Sequence, residues 1–153
     1  MTMKKGISMD SPLVIGIYGT SNSGKTTLIT ELIRQLALRG YRIGTIKQTN
    51  KPISMDVSEK DTWRHKDAGA NIVVLSSTIE TTFLLPTPIN VSIMIEKMTQ
   101  LLDLDIILIE GANDPSIPKI RIGSIECREN TLFTYDGDIN NLLNYIQGKI
   151  RRG

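Results

Sequence analysis

The run Gly19-Thr20-Ser21-Asn22-Ser23-Gly24-Lys25-Thr26-Thr27 constrains this chain more than any other stretch, because it fits a glycine, four intervening residues, then Gly-Lys-Thr. In that spacing the backbone N–H groups of a tight loop can converge on one anion, and Gly19 and Gly24 carry no Cβ to block them. Lys25 would reach the β- and γ-phosphates, the Thr26 hydroxyl would meet Mg²⁺, and the helix starting at Lys25 would add its positive dipole end. The motif carries this meaning only between a buried strand and a helix. Leu13 to Tyr18 reads as the strand. Lys25 to Arg39 reads as the helix, with Leu28, Ile29, Leu32, Ile33 and Leu36 at helical spacing and Gly40 as its stop. A nucleoside triphosphate held by Gly19 to Thr27 is therefore the first expectation.

A second strand, Arg42 to Lys47, closes a βαβ unit and enters a polar loop with Asp56. Asp61 is placed as the N-cap of a short helix, Thr62 to Ala68, ended by Gly69. Asn71 to Leu75 and Glu80 to Leu85 read as strands, and Asn90 or Ser92 caps a helix running to about Leu102. Asp105-Ile106-Ile107-Leu108-Ile109-Glu110-Gly111 reads as a buried parallel strand delivering a carboxylate at its carboxyl end, as a Walker B strand does. Lys119 to Ile122 and Leu132 to Tyr135 are further strands, and Asp138 caps a last helix with Leu142, Leu143, Ile146 and Ile150 on one face. Alternating strands and helices predict a three-layer α/β P-loop fold with a mainly parallel sheet, in one domain, with its site at the carboxyl ends of the strands. The loop, Lys47 with Gln48, and Glu110 should converge there.

Composition narrows the class. At 153 residues, 40% hydrophobic and 22% charged, the chain has an ordinary globular balance. A net charge of +2 gives no footprint for nucleic acid, and Lys149, Arg151 and Arg152 suit a helix C-terminus. The apolar run after Lys4 and Lys5 is too short for a signal peptide, and no segment nears the roughly 20 apolar residues of a membrane span. A single Cys127 excludes an internal disulfide and fits a reducing cytoplasm, and a single His65 excludes a histidine metal site within one chain.

With these pieces in place, the chain resembles the molybdopterin-guanine dinucleotide biosynthesis adaptor family, MobB. The resemblance rests on Gly19 to Thr27, Thr45-Ile46-Lys47, Lys60-Asp61-Thr62 with Arg64, Ala68-Gly69-Ala70, and Leu108-Ile109-Glu110-Gly111 followed by Pro118-Lys119-Ile120. It implies a cytoplasmic GTP-binding homodimer with weak GTPase activity that assists the guanylyltransferase joining GMP to molybdopterin. Carried over residue by residue, it places the nucleotide contacts on Gly19 to Thr27 and the acidic site positions on Asp56, Asp61 and Glu110. The chain departs from its relatives at Gln48, Asn50 and Lys51, where they carry a histidine-rich run, and at Asn113, where a lysine is common.

Read from the residues alone, each candidate keeps a plainer alternative. Glu110 contacts Mg²⁺ through water or orients an attacking water, or else pairs with a nearby lysine. Asp61 caps its helix, enters a metal shell, or does both. Asp56 is a solvated turn residue or a metal contact. His65 fits an exposed helical position, Trp63 a packed one and Arg64 a surface one, while Lys119 and Arg121 form a solvated strand face or a basic rim. Asn50-Lys51-Pro52-Ile53 lacks the Asp of the guanine motif, so guanine preference rests on the resemblance. The working scheme puts Mg²⁺-GTP on the loop, held by Lys25 and Thr26, with Glu110 and Asp61 completing the shell of metal and water and Asp56 as a further metal candidate. A small-molecule or nucleotide kinase, a metal-insertion GTPase and an adaptor switched by its nucleotide share parts of this plan.

Overall fold

The computed structural model describes residues 11–150, whose contacts gather into two compact units. The chain order is β1 (Leu13–Tyr18), α1 (Lys25–Leu38), β2 (Ile43–Lys47), α2 (Asp61–Asp67), β3 (Val73–Ser76), β4 (Thr81–Leu84), α3 (Val91–Leu101), β5 (Ile106–Glu110), β6 (Lys119–Arg121), β7 (Thr131–Thr134) and α4 (Ile139–Lys149). One unit runs to Thr49 and resumes at Ile95, and the other is Asn50–Met94.

In the first unit, five strands form a sheet in the order β2-β5-β1-β6-β7, and every neighbouring pair is parallel. The α/β plan expected from the sequence is what is found. β5 is apolar from Ile106 to Ile109 because a parallel strand in mid-sheet is covered on both faces. On one face Ile15, Ile17, Ile106, Leu108 and Ile120 pack against Leu28, Leu32 and Leu36 of α1 and Leu142, Leu143 and Ile146 of α4. On the other, Gly44 lies so close to Met98 and Leu104 that an added Cβ would come within 2.5 and 2.9 Å of them. No helix of the described residues is long and apolar enough to cross a membrane.

Helix ends follow local chemistry with one correction. Asn90 Oδ1 accepts from Ile93 N at 2.9 Å, and Asp138 Oδ1 accepts from Asn140 N at 2.8 Å, so these residues cap α3 and α4. Lys149 lies in the last turn of α4, whereas Arg151 and Arg152 fall outside the described residues. Asp61 is not an N-cap: Lys60 holds the extended cap position without a side-chain bond, and Asp61 is the first helical residue. There a carboxylate still meets the positive end of the helix.

The second unit holds α2 and the antiparallel hairpin β3–β4, with Val73 paired to Leu84 and Ser76 to Thr81. The hairpin starts later and ends earlier than the runs Asn71 to Leu75 and Glu80 to Leu85 suggest, and Ser77 makes its turn. Ser77 N donates to Glu80 O at 3.0 Å, and Ser77 Oγ accepts from Ile79 N and Glu80 N at 3.2 and 3.1 Å.

Candidate functional site

The loop after β1 has the conformation its glycines demand. Asn22 and Gly24 both take positive φ, 61° and 81°, turning successive N–H groups toward one side as in an anion-binding nest. Nothing lies within 4 Å of a Cβ placed on Gly24, so its glycine answers to backbone angle. Gly19 answers to space, since a Cβ there would sit 2.8 Å from Ser23 Oγ and 2.9 Å from Ile122 O. Lys25 Nζ donates to Gly19 O at 3.0 Å and Thr20 O at 2.6 Å, which holds the ammonium against the loop it would leave for phosphate. Ser23 Oγ is buried without a hydrogen-bond partner. An ammonium resting on loop carbonyls, a left-handed nest and an orphaned hydroxyl together fit a polyphosphate.

Glu110 arrives by register. Ile17 of β1 and Lys47 of β2 are both paired with Glu110 at the carboxyl end of β5. Thr26 Oγ1 donates to Glu110 Oε1 at 3.0 Å, and Lys47 Nζ lies 3.7 Å from the same oxygen. Gln48 N donates to Glu110 O at 2.9 Å. The three strand ends named from sequence do meet, and Glu110 has both the loop contact and the plain lysine pairing. Gly111 is required where the chain leaves β5: its φ is +82°, and a Cβ would lie 2.8 Å from Gln48 O.

The other sequence candidates fall in the second unit. Asp61 is exposed, and Asp56 accepts from Thr62 Oγ1 at 2.9 Å and pairs with Lys66 Nζ at 3.3 Å. His65 and Arg64 are exposed on α2, and Trp63 is half-buried. Among the described residues no three His, Cys, Asp or Glu side chains gather into a metal-holding set. Mg²⁺ keeps several waters and takes one or two protein oxygens beside substrate phosphates. Thr26 Oγ1 and Glu110 Oε1, 3.0 Å apart, are two oxygens that could hold it there.

Lys119 overturns its sequence reading. It is neither a solvated face nor a rim: its relative exposure is 0%. Its Nζ donates to Asp114 O, to Ile117 O at 2.8 Å and to Glu129 O at 3.1 Å. Burial pushes its pKa down, against the opposing pull of Asp114 and Glu129. Arg121 is half-buried, and its Nη1 donates to Ile125 O at 3.1 Å. Arg128 reinforces the same layer: its guanidinium lies 4.6 Å over the Tyr18 ring, and its Nη1 donates to Ala112 O at 2.8 Å. Sequence reasoning passed over Tyr18, whose hydroxyl accepts from Arg128 N at 2.9 Å and meets Thr131 Oγ1 at 2.7 Å. The available signal was Gly16, which leaves room beside β1. It pairs with Lys119, and a Cβ there would lie 3.4 Å from Lys119 Cγ.

Known proteins resemble this chain in sequence and in fold. Residues 14–144 match the family described as molybdopterin guanine dinucleotide synthesis protein B. The chain is 37% identical over 110 residues to the molybdopterin-guanine dinucleotide biosynthesis adapter protein of Haemophilus influenzae, covering 70% of this chain and 61% of that one. It is 34% identical over 103 residues to the protein of the same name from Escherichia coli, covering 65% of this chain and 59% of that one. It thus spans about three fifths of the length of these curated relatives. The crystal structure of Bacillus subtilis MobB superposes with a TM-score of 0.71 at 19% identity, covering 92% of this chain and 99% of that one. A crystal structure of molybdopterin-guanine biosynthesis protein B gives 0.63 at 23% identity, covering 92% and 100%. At those identities the superpositions speak for the fold.

Proposed function

The chain belongs to the molybdopterin guanine dinucleotide synthesis protein B family, and from that membership and the loop geometry we propose that it is a GTP-binding adapter in molybdopterin-guanine dinucleotide biosynthesis. The observation that carries the nucleotide reading is the 3.0 Å bond from Thr26 Oγ1 to Glu110 Oε1, which joins the loop's metal-binding hydroxyl to the strand-end carboxylate. GTP as the nucleotide, a homodimer, a cytoplasmic setting, and the guanylyltransferase and molybdopterin as partners all belong to the proposal. The relatives' names support a place in this biosynthesis, and the resemblance of the motifs supports the rest.

The loop's N–H groups from Gly19 to Thr27 would hold the phosphates at the start of α1, where the helix dipole favours negative charge. Lys25 would move from Gly19 O and Thr20 O to the β- and γ-phosphate oxygens, and Thr26 and Glu110 would face Mg²⁺. The ion, when bound, would neutralise charge on the γ-phosphate. Glu110 would orient a water through its other carboxylate oxygen, with Lys47 Nζ 3.7 Å from Oε1. Slow hydrolysis belongs to the proposal, and suits a protein whose nucleotide organises an assembly.

The test is Lys25→Ala with a fluorescent GTP analogue in Mg²⁺ buffer and ATP as competitor. Affinity should fall at least tenfold, and GTP should compete better than ATP. Unchanged affinity in the variant would overturn the loop assignment, and ATP competing better than GTP would overturn the guanine reading.

A further inference from the structure

Lys47 stands at the carboxyl end of β2 in register with Glu110 across a parallel pair, so both side chains leave the sheet on one face. That face is the one covered by α1, because Ile17, the other register partner of Glu110, packs there with Leu28 and Leu32. The strand end itself is fixed: Gln48 N donates to Glu110 O at 2.9 Å, and Gly111 turns tightly against Gln48 O. Only the Lys47 side chain is loosely held. It is 63% exposed against 16% for Glu110, and 3.7 Å between Nζ and Oε1 makes an ion pair beyond hydrogen-bond distance.

Oε1 is also the oxygen that accepts from Thr26 Oγ1 at 3.0 Å. A divalent cation bound to it at the usual ~2.1 Å would lie within about 6 Å of Nζ, and its two charges would repel the ammonium. Lys47 then needs another anion. The loop's N–H groups enclose the inner phosphates of a nucleotide, so the γ-phosphate is the one that extends toward the strand ends. We propose that Lys47 contacts the γ-phosphate: its ammonium, paired here with Glu110, moves to the γ-phosphate oxygens when a divalent cation takes its place on the carboxylate. Two lysines then share the terminal phosphate, Lys25 from the loop and Lys47 from β2. A nucleoside diphosphate offers no anion at that position, so Lys47 lets the site distinguish the two nucleotides. This role rests on the nucleotide reading proposed above and deepens it.

Lys47→Met keeps the aliphatic stem and removes the charge. In the full chain, calorimetric titration in Mg²⁺ buffer with GDP and with a β,γ-imido analogue of GTP should show affinity for the analogue falling at least tenfold and affinity for GDP changing less than twofold. Lys47→Gln should give the same loss, which covers the case in which Lys47→Met does not fold. Lys47→Arg, which restores a cation, should bring the analogue's affinity to within threefold of the parent. Loss of a mere surface ion pair would move neither affinity, and release of Glu110 toward the metal would tighten both. Either result, an equal loss for both nucleotides, or no recovery in Lys47→Arg would overturn the proposal. A parent chain that binds neither nucleotide would overturn the phosphate-loop reading and this role together. A parent that binds both, with Lys47→Met holding the analogue at parental affinity, would overturn this role alone.

Discussion

Replacing Lys119 by Met tests whether a buried ammonium holds together the layer that covers β1 and β6. Met keeps most of the length and apolar stem but removes all three donors, leaving Asp114 O, Ile117 O and Glu129 O without their common partner. Hydrogen bonds to a charged group are worth about 1.5–3 kcal/mol each, so three give roughly 4.5–9 kcal/mol gross. Burying an ammonium costs several kcal/mol, which the variant recovers. The net loss is then about 2–4 kcal/mol, a large share of the ~5–15 kcal/mol typical of a domain. With a urea slope of about 2 kcal/mol/M, the midpoint should fall by roughly 1–2 M at an unchanged slope. Amide exchange gives a local check, since Lys119 N donates to Asn130 O at 2.8 Å and Ile117 N to Asp114 O at 3.2 Å, and both amides should exchange faster. A midpoint within about 0.2 M of the parent, a difference of ~0.4 kcal/mol, would refute the reasoning and show that water or loop relaxation replaces the ammonium.

Gly16→Ala should lower stability by about 1–3 kcal/mol through overpacking. The new Cβ would lie 2.5 Å from Ala112 Cβ, and a thermal melt checks it. Glu110→Gln should retain GTP binding while losing Mg²⁺ dependence and hydrolysis, read by titrating Mg²⁺ against nucleotide affinity and by phosphate release. Hydrolysis at the parental rate would remove Glu110 from the site. Asp105 supplies a pH dependence: burial alone would raise its pKa, but hydrogen bonds from the Arg42 side chain and amide, with the Arg42 charge, hold it below the usual carboxylate range. Its contribution is present above the unfolded value and is lost as pH falls through the lower folded value, so Asp105→Asn should flatten the acid limb of a stability-against-pH curve.

The parts of this fold legible in the sequence are those set by local chemistry. β5 announced itself because a strand covered on both faces must be apolar, and the loop because its glycines serve a backbone angle at Gly24 and a close approach at Gly19. Asp61 was misplaced by one position because an acid is favoured both as an N-cap and just inside the helix, and composition does not separate the two. Lys119 was misread for a different reason: lysine is rarely buried, so in a three-residue strand it reads as solvent-facing. Its burial is made by remote segments, the carbonyls near Asp114 and Glu129 and the gap at Gly16. The partners of Asp56 were likewise invisible, because they depend on the separate placement of Thr62 and Lys66.

The same distinction explains why Glu110 could be named from sequence although its partner could not. β5 lies between β1 and β2, and its last residue pairs with Ile17 on one side and Lys47 on the other. Side chains alternate along a strand, so a one-residue slip would exchange the faces of Ile109 and Glu110. The carboxylate would then leave Thr26, and Ile109, now fully buried, would leave its side of the sheet. Being apolar on both faces does not by itself resist that slip; the fit does, with Ile106 and Leu108 packed among Leu32 and Leu142 and Ile107 close against Gly44. The 3.0 Å contact between Thr26 and Glu110 is therefore set by core packing along the whole strand. A substitution that loosens β5 packing, such as Leu108→Ala, should weaken Mg²⁺-dependent nucleotide binding as well as stability, by about 2–5 kcal/mol in the latter. Loss of stability with unchanged Mg²⁺ dependence would show that the loop positions Thr26 against Glu110 without help from the strand.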